Sequence, residues 1–542
     1  MRENNVNNIS VLDCTLREAP IENLMWGKNS VSRIIQGLEN ALTDIIEVGF
    51  LKNNEYADGS TSFQNVEQIR PYLRKKRGTD YVALIDYGRY DLSNLSPYDG
   101  TSIDGIRICF KKSEVNDVLK FAEEIKNKGY KVCIQHVDTS AYSKDEILKF
   151  IEHINRFRPY AYSIVDTFGA MYEDEMLNIA HMVDNNLDKK VRLGFHGHNN
   201  IMLADANAQC FIRELSVKRN IIVDSSLLGC GRGAGNAHTE LILQYINRKH
   251  GGSYDLNEAL DVIDEEISKL QDKIKWGYSM PYFISGMHNS HTFNVKHLLK
   301  RHNIRSKDLR NIIEKLNEEE KKKYDYTLLE RIYVEYFDKT INDAYAISQI
   351  KTSLQNRVVL LIAPGKSIIS EYDKICGFIK EENPIVIAVN NIIEKFKFDY
   401  IFFSSIKRYQ GVLYNDYISA GSPQLIITSN IMKETSGGEL IVDYKSLVKF
   451  GWINIDSSAI LLLRLLINCE VKKIFIAGLD GYDSKNEFFY KNELDSGLEN
   501  DDKIENTKEN MEMLRDIIDE NPNLKLHFLT RSIYESVGEK DV

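Results

Sequence analysis

Short β-branched apolar runs recur between residue 8 and about residue 245. Each ends in a polar residue and leads into a stretch with helical spacing. The runs are Ile9–Cys14, Ile45–Phe50, Tyr81–Asp86, Gly105–Phe110, Lys131–His136, Ala161–Asp166, Val191–His196 and Ile221–Ser226. Eight evenly spaced strand–helix units predict a (β/α)8 TIM barrel over residues 1–250; a doubly wound open sheet is the alternative, and the even spacing favours closure. Residues 251–350 then read as a helical extension. Leu256–Gln271 is amphipathic, and Lys300–Tyr324 is heavily charged, with Glu318 to Lys323 forming a solvated helix face. A second α/β pattern begins near Arg357. Its runs, Val358–Ala363, Ile385–Val389, Tyr400–Phe403, Leu425–Thr428 and Lys473–Ala477, end in small and polar residues. They predict a Rossmann-like doubly wound domain over residues 355–542.

A chain of 542 residues suits this division into several domains. Hydrophobic residues make up 43%, enough for full cores, and the net charge of −10 gives no global footprint for nucleic acid. Met1 to Asn8 lacks an apolar signal region, and no uninterrupted apolar run reaches the length of a membrane span. Seven cysteines without CxxC spacing read as small core residues of a reduced, cytoplasmic protein. A homo-oligomer is expected.

The barrel pattern demands chemistry at the C-terminal ends of the strands. Those ends carry Asp13, Arg17 and Glu18, then Glu47, Asp86, Arg107, Gln135 with His136, Asp166, His196 with His198, and Asp224. Any one of these reads alternatively as a cap or turn residue, and the pairs Asp166-Thr167 and Asp138-Thr139 suit that reading. His196 and His198 stand two apart at a strand end and share a side, which suits a divalent metal. After the last strand, Gly229 to Asn236 is glycine-rich, and reads either as a phosphate loop or as a plain turn. His288 and His291 read as packing or capping residues. Pro364-Gly365-Lys366-Ser367 lacks the first Walker glycine and reads as a strand-to-helix turn whose amides hold an anion.

Leu12-Asp13-Cys14-Thr15-Leu16-Arg17-Glu18 resembles the D-x-T-L-R-D signature of the DRE-TIM metallolyases, a family that includes 4-hydroxy-2-oxovalerate aldolase, 3-hydroxy-3-methylglutaryl-CoA lyase and isopropylmalate synthase. Glu47, the His196–His198 pair and the Gly231–Asn236 loop match three further motifs in the right order, and Trp276–Tyr282 is similar to the stretch after the barrel in the aldolase branch. The resemblance implies metal ligands at Glu18, His196 and His198 with Asn236 as a fourth, an enolate-stabilising catalytic arginine at Arg17, and a catalytic glutamate at Glu47. It implies Mn²⁺ or Mg²⁺ as cofactor, and a 2-oxo acid and an aldehyde as substrates. Two departures stand out. The family's ligand aspartate is here Glu18, and the loop histidine that serves acid/base chemistry in the aldolases is absent, leaving Glu22 or a tyrosine as substitutes.

The C-terminal half more faintly resembles Rossmann-like proteins of the 6-hydroxymethylpterin diphosphokinase and bacterial sialyltransferase kind. This resemblance implies a nucleotide or nucleotide-sugar site at Gly365, Ser367, Asn390 and Asp480. The expected function is therefore a metal-dependent aldolase or lyase that makes or breaks a C–C bond next to a 2-oxo acid, fused to a nucleotide-binding domain. Alternatives are a Claisen-type acyltransferase on the same barrel, and a degenerate barrel that serves as scaffold for a C-terminal transferase.

Overall fold

The computed structural model describes residues 8–18, 25–74, 78–271, 274–301, 304–337, 341–393, 395–412, 423–434, 437–452, 454–482 and 500–537. Glu22 and the Ala19–Ile21 stretch lie outside them.

The eight predicted strands form, with shifts of one residue at some ends. They are β1 (Ile9–Asp13), β2 (Ile45–Leu51), β4 (Asp80–Asp86), β5 (Gly105–Cys109), β6 (Lys131–His136), β7 (Ala161–Asp166), β8 (Arg192–Gly197) and β9 (Ile221–Ser225). A two-residue strand, β3 (Ser62–Phe63), adds to β2 outside the barrel. Every pairing is parallel, and β1 pairs with both β2 and β9, which closes the sheet.

Alternation along the strands sorts the side chains into two cores. Ile46 and Val48 of β2, Ile106 and Ile108 of β5, and Ile221 and Val223 of β9 face the surrounding helices. Leu12, Ile45, Val82, Cys133, Ala161 and Ile222 fill a smaller core of their own. Two residues on from Ile45 and Ile222, on the same side of their strands, stand Glu47 and Asp224. The barrel thus carries an apolar floor beneath a charged layer. All seven cysteines are free, and five of them are buried.

Residues Met1–Thr292 with Lys321–Lys323 form one compact unit, and Phe293–Glu320 with Tyr324–Val542 form a second. The second unit is built on a seven-stranded parallel sheet: β10 (Val359–Ile362), β11 (Ile385–Val389), β12 (Tyr400–Phe403), β13 (Gln424–Thr428), β14 (Leu440–Val442), β15 (Lys473–Ala477) and β16 (Lys525–Phe528). The order β14-β13-β12-β11-β10-β15-β16 makes it doubly wound, as the sequence predicts for a Rossmann-like domain. The chain leaves β10 toward β11 on one side and β15 toward β16 on the other, which puts a topological switch point at their C-terminal ends. Among the described residues no helix is long and apolar enough to cross a membrane.

Candidate metal centre

Glu18 closes a single helical turn, Thr15–Glu18, that follows β1 directly. The turn is pinned at its start. The Thr15 amide donates to Asp13 Oδ1 (2.9 Å), and Thr15 Oγ1 accepts from the Leu227 amide (2.8 Å). His196 sits in β8 and His198 just past its end. Ligand atoms of Glu18, His196 and His198 lie within 4.8 Å of one another. The two imidazoles meet edge to face, with ring centroids 4.9 Å apart.

Each histidine is oriented through its Nδ1. His196 Nδ1 lies 3.0 Å from Asp224 Oδ2, and His198 Nδ1 lies 3.0 Å from the Asp166 carbonyl. That leaves Nε2 of both rings for a ligand, the arrangement usual for metal-bound histidines. Burial, aided by the neighbouring His196, pulls His198 down to about 3, which keeps the ring neutral, the form that can ligate a cation. Burial would raise the Glu18 carboxyl, but Arg17, His198 and His196 outweigh it and hold the group below its ordinary range.

The donor set fits a divalent cation on the structure's own terms. Both carboxylate oxygens of Glu18 are buried and accept no hydrogen bond, although Oε1 lies against the Arg17 guanidinium. Asn236 forms a backbone bridge with His198. Its Nδ2 donates to the Cys230 carbonyl (2.8 Å), while its Oδ1 is buried without a partner. Unpartnered buried oxygens are costly, and a cation would satisfy them. Carboxylate and imidazole without thiolate suit Mn²⁺ or Mg²⁺ ahead of Zn²⁺.

Behind the ligands runs a buried ionic chain. Arg17 Nε donates to Glu47 Oε2 (2.8 Å), and Arg107 Nη1 approaches the same oxygen at 2.9 Å. Arg107 Nη2 binds Gln135 Oε1 (2.8 Å) and the Asp224 carboxylate. Glu18, Arg17, Glu47, Arg107, Asp224 and His196 therefore form one continuous path of contacts. Burial opposes the charge on Asp224, but Arg107 and His196 overcome it and keep the carboxyl low. The sequence marked Arg107 and Asp224 as strand-end residues without a role; the link between them is tertiary.

Other strand-end residues do different work. Asp166 accepts from the Ala170 and Met171 amides (3.0 Å each), and burial raises it to about 6. Asp138 pairs with Lys322 at 2.7 Å. Both act as loop-fixing groups. His291 is pushed down to about 4, chiefly by burial. Asn200, which the sequence reading passed over, ties the glycine loop down by accepting from the Ala234 amide (3.0 Å) and donating to the Phe168 carbonyl (2.9 Å).

In the second unit, Gly365, Ser367 and Asp480 meet at the switch point. The Ser367 amide donates to Asp480 Oδ2 (2.9 Å), and Ser367 Oγ bonds Asp480 and Thr530. A Cβ on Gly365 would lie 2.4 Å from Asp480 Cγ, so only glycine admits this approach. Asn390 belongs to a second cluster with Ser404 and Ser458, whose hydroxyls are 2.6 Å apart.

The HMGL-like family model matches residues 8–268. The chain is 27% identical to an oxaloacetate decarboxylase of Mycobacterium tuberculosis, over 53% of this chain and 84% of that one. It is 21% identical to a 4-hydroxy-2-oxovalerate aldolase of Bacillus thuringiensis, over 57% of this chain and 91% of the relative. Among solved structures, the Bacillus subtilis HMG-CoA lyase aligns with 49% of this chain and 92% of its own, at 14% identity and a TM-score of 0.40.

Proposed function

With its barrel segment, residues 8–268, a member of the HMGL-like family, we propose that the chain is a divalent-metal-dependent aldolase that cleaves or forms the C3–C4 bond of a 4-hydroxy-2-oxo acid. The observation that carries this reading is the meeting of Glu18, His196 and His198 at the barrel mouth, with Glu18 Oε2 buried and without a partner. Glu18, His196, His198 and Asn236 would hold the cation. When bound, it supplies Lewis acidity toward the oxygens of a 2-oxo acid.

In the cleavage direction the C4 hydroxyl loses its proton and becomes the aldehyde carbonyl. The C3–C4 electron pair passes to the enolate of pyruvate, and a proton added at C3 completes pyruvate. Arg17 holds a fixed positive charge where the enolate oxygen develops, and its two carboxylate neighbours keep it protonated and aimed. Glu47 is fully buried and touches Arg17 and Arg107, so its part is to position those arginines.

Loss of CO₂ from a 2-oxo diacid generates the same enolate, and the decarboxylase relative favours including it. A scaffold barrel has no use for oriented imidazoles beside a buried carboxylate whose Oε2 has no partner, which supports catalysis over that alternative. A Claisen-type acyl transfer is the remaining rival. The test is pyruvate release, coupled to lactate dehydrogenase, from 4-hydroxy-2-oxovalerate and from oxaloacetate, by metal-stripped protein with and without Mn²⁺. Release that depends on Mn²⁺ supports the reading, and no release from either substrate counts against it.

For the second unit we propose a nucleotide or nucleotide-linked sugar as ligand, supported by the switch point of its doubly wound sheet. Asp480 already occupies the Ser367 amide, so recognition there falls to donors of the ligand, such as sugar hydroxyls, rather than to its phosphates. Calorimetric titration with nucleotides and nucleotide sugars, repeated on Asp480→Ala, checks this.

A further inference from the structure

The glycine loop presents one long side chain, and the loop is built to fix where it points. Cys230, Ala234 and Asn236 are buried, whereas Arg232 is exposed. Its backbone is clamped from several sides. The Gly235 amide donates to the Arg232 carbonyl (2.9 Å), Ala234 is tied to Asn200, and Asn236 to Cys230. Gly233 has φ +62°, and a Cβ there would lie 2.8 Å from Asn200 Oδ1. The residue after Arg232 therefore has no room to be anything larger.

Arg232 borders a cavity that Glu18 also lines, together with Cys230, Lys275, Trp276 and Tyr282. Trp276 is itself anchored, its Nε1 donating to the Leu228 carbonyl at 2.8 Å. The wall next to the metal-binding carboxylate thus carries two cations and two aromatic rings. The charge on Arg232 is felt beyond this wall. After burial, it contributes to holding Lys52 at the end of β2, and His291 beyond the barrel, below their ordinary ranges. A chain of net charge −10 thus places two cations, Arg232 and Lys275, on one cavity beside Glu18. Such a cleft concentrates anions.

A 2-oxo acid does not account for all of this charge. Its enolate oxygen is served by Arg17, which Glu18 and Glu47 already engage. Arg232 and Lys275 line the cavity from segments that follow β9. We infer that the second reactant, the carbonyl compound that condenses with pyruvate, carries its own oxyanion, a phosphate monoester or a carboxylate, which Arg232 and Lys275 hold in this cavity while its carbon chain lies along Trp276. This rests on the aldolase reading above and names the class of its aldehyde.

The experiment compares acceptors in the condensation direction with pyruvate and Mn²⁺. Glyceraldehyde 3-phosphate is set against glyceraldehyde, and succinic semialdehyde against butanal, so that the two pairs separate phosphate from carboxylate. At least one anionic aldehyde should be preferred over its neutral counterpart by about tenfold or more in kcat/KM. Arg232→Gln combined with Lys275→Gln should lower that preference by about 10–100-fold, mainly through KM, as expected for lost charge-assisted hydrogen bonds. Inorganic phosphate should compete with the preferred aldehyde in the parent protein, a measurement that needs no variant. Equal use of neutral and anionic aldehydes, or a preference that survives in the double variant, overturns the inference. Deuterium exchange into the pyruvate methyl group, run on the parent, separates the two levels. A parent that exchanges but shows no anion preference sinks this inference alone, and a parent that neither exchanges nor condenses removes the reaction on which both stand.

Discussion

Asp224 Oδ2 lies 3.0 Å from Nδ1 of His196, across the seam between β9 and β8. The contact fixes the tautomer of the ring and turns Nε2 toward Glu18 and His198. The same carboxylate binds Arg107, so ligand orientation and the buried ionic chain share one residue. Asp224→Asn should keep the fold, because an amide still accepts from Arg107. It should weaken Mn²⁺ binding by about 10–100-fold, the usual effect of losing such an outer partner. Titration calorimetry measures this, and unchanged affinity would mean that Asp224 does not orient the ligand.

Arg17 makes its contacts through a planar fork, with Nε on Glu47 and Nη1 beside Glu18. Lysine supplies the charge without the fork. Arg17→Lys is expected to lower turnover by about 10²–10³-fold, the range for one lost oxyanion donor. KM should change less, since the interaction strengthens toward the transition state. Turnover equal to that of the parent would assign Arg17 another role.

Glu47 is wholly buried between two arginines. Glu47→Gln keeps an acceptor oxygen but removes the negative charge that balances two buried guanidiniums. Breaking one member of a buried ionic set costs about 3 kcal/mol or more. Chemical denaturation should show a clear loss of stability in this variant, and a smaller loss in Glu173→Gln, whose partner Arg213 is exposed. Equal effects would contradict the importance given to the inner chain.

His136 is buried against Phe110, Tyr142 and Phe150, with Nδ1 on Tyr162. Burial, with a smaller contribution from Lys112, pulls it from 6.5 down to about 3, against the opposing pull of Glu146. The folded-state value is depressed, so the neutral ring contributes stability that is fully present above about 6.5. That stability is lost as pH falls toward 3, because the unfolded chain takes up the proton first. His136→Gln removes the titration while keeping a partner for Tyr162. Thermal melts from pH 7 to pH 4 should fall more steeply in the parent than in the variant, and parallel slopes would count against this assignment.

The barrel was legible because its eight strands are β-branched runs buried on both faces. The strands that escaped are short. Ser62–Phe63 has two residues, while Leu440–Val442 and Lys525–Phe528 lie at the edges of the second sheet, where Lys525 and His527 break the apolar run. The meeting of Glu18, His196 and His198 was legible because two of them stand in one short motif and the third follows the first strand. The Arg107–Asp224 link was not, since it joins residues 117 positions apart that only barrel closure brings together. The fixed, exposed placement of Arg232 was equally hidden, because a glycine-rich stretch reads as a turn until the hydrogen bonds of Asn200 and Asn236 are seen.

The central claim is that Glu18, His196 and His198 hold a divalent cation that lets the barrel form the enolate of a 2-oxo acid. Proton exchange at the pyruvate methyl group in deuterated water tests it most directly, because exchange requires the enolate and no aldehyde. Metal-stripped protein should be inactive, Mn²⁺ or Mg²⁺ should restore exchange, and His196→Ala with His198→Ala should abolish both metal binding and exchange. Exchange that proceeds without added metal, or a double variant that binds Mn²⁺ and exchanges like the parent, would contradict the account.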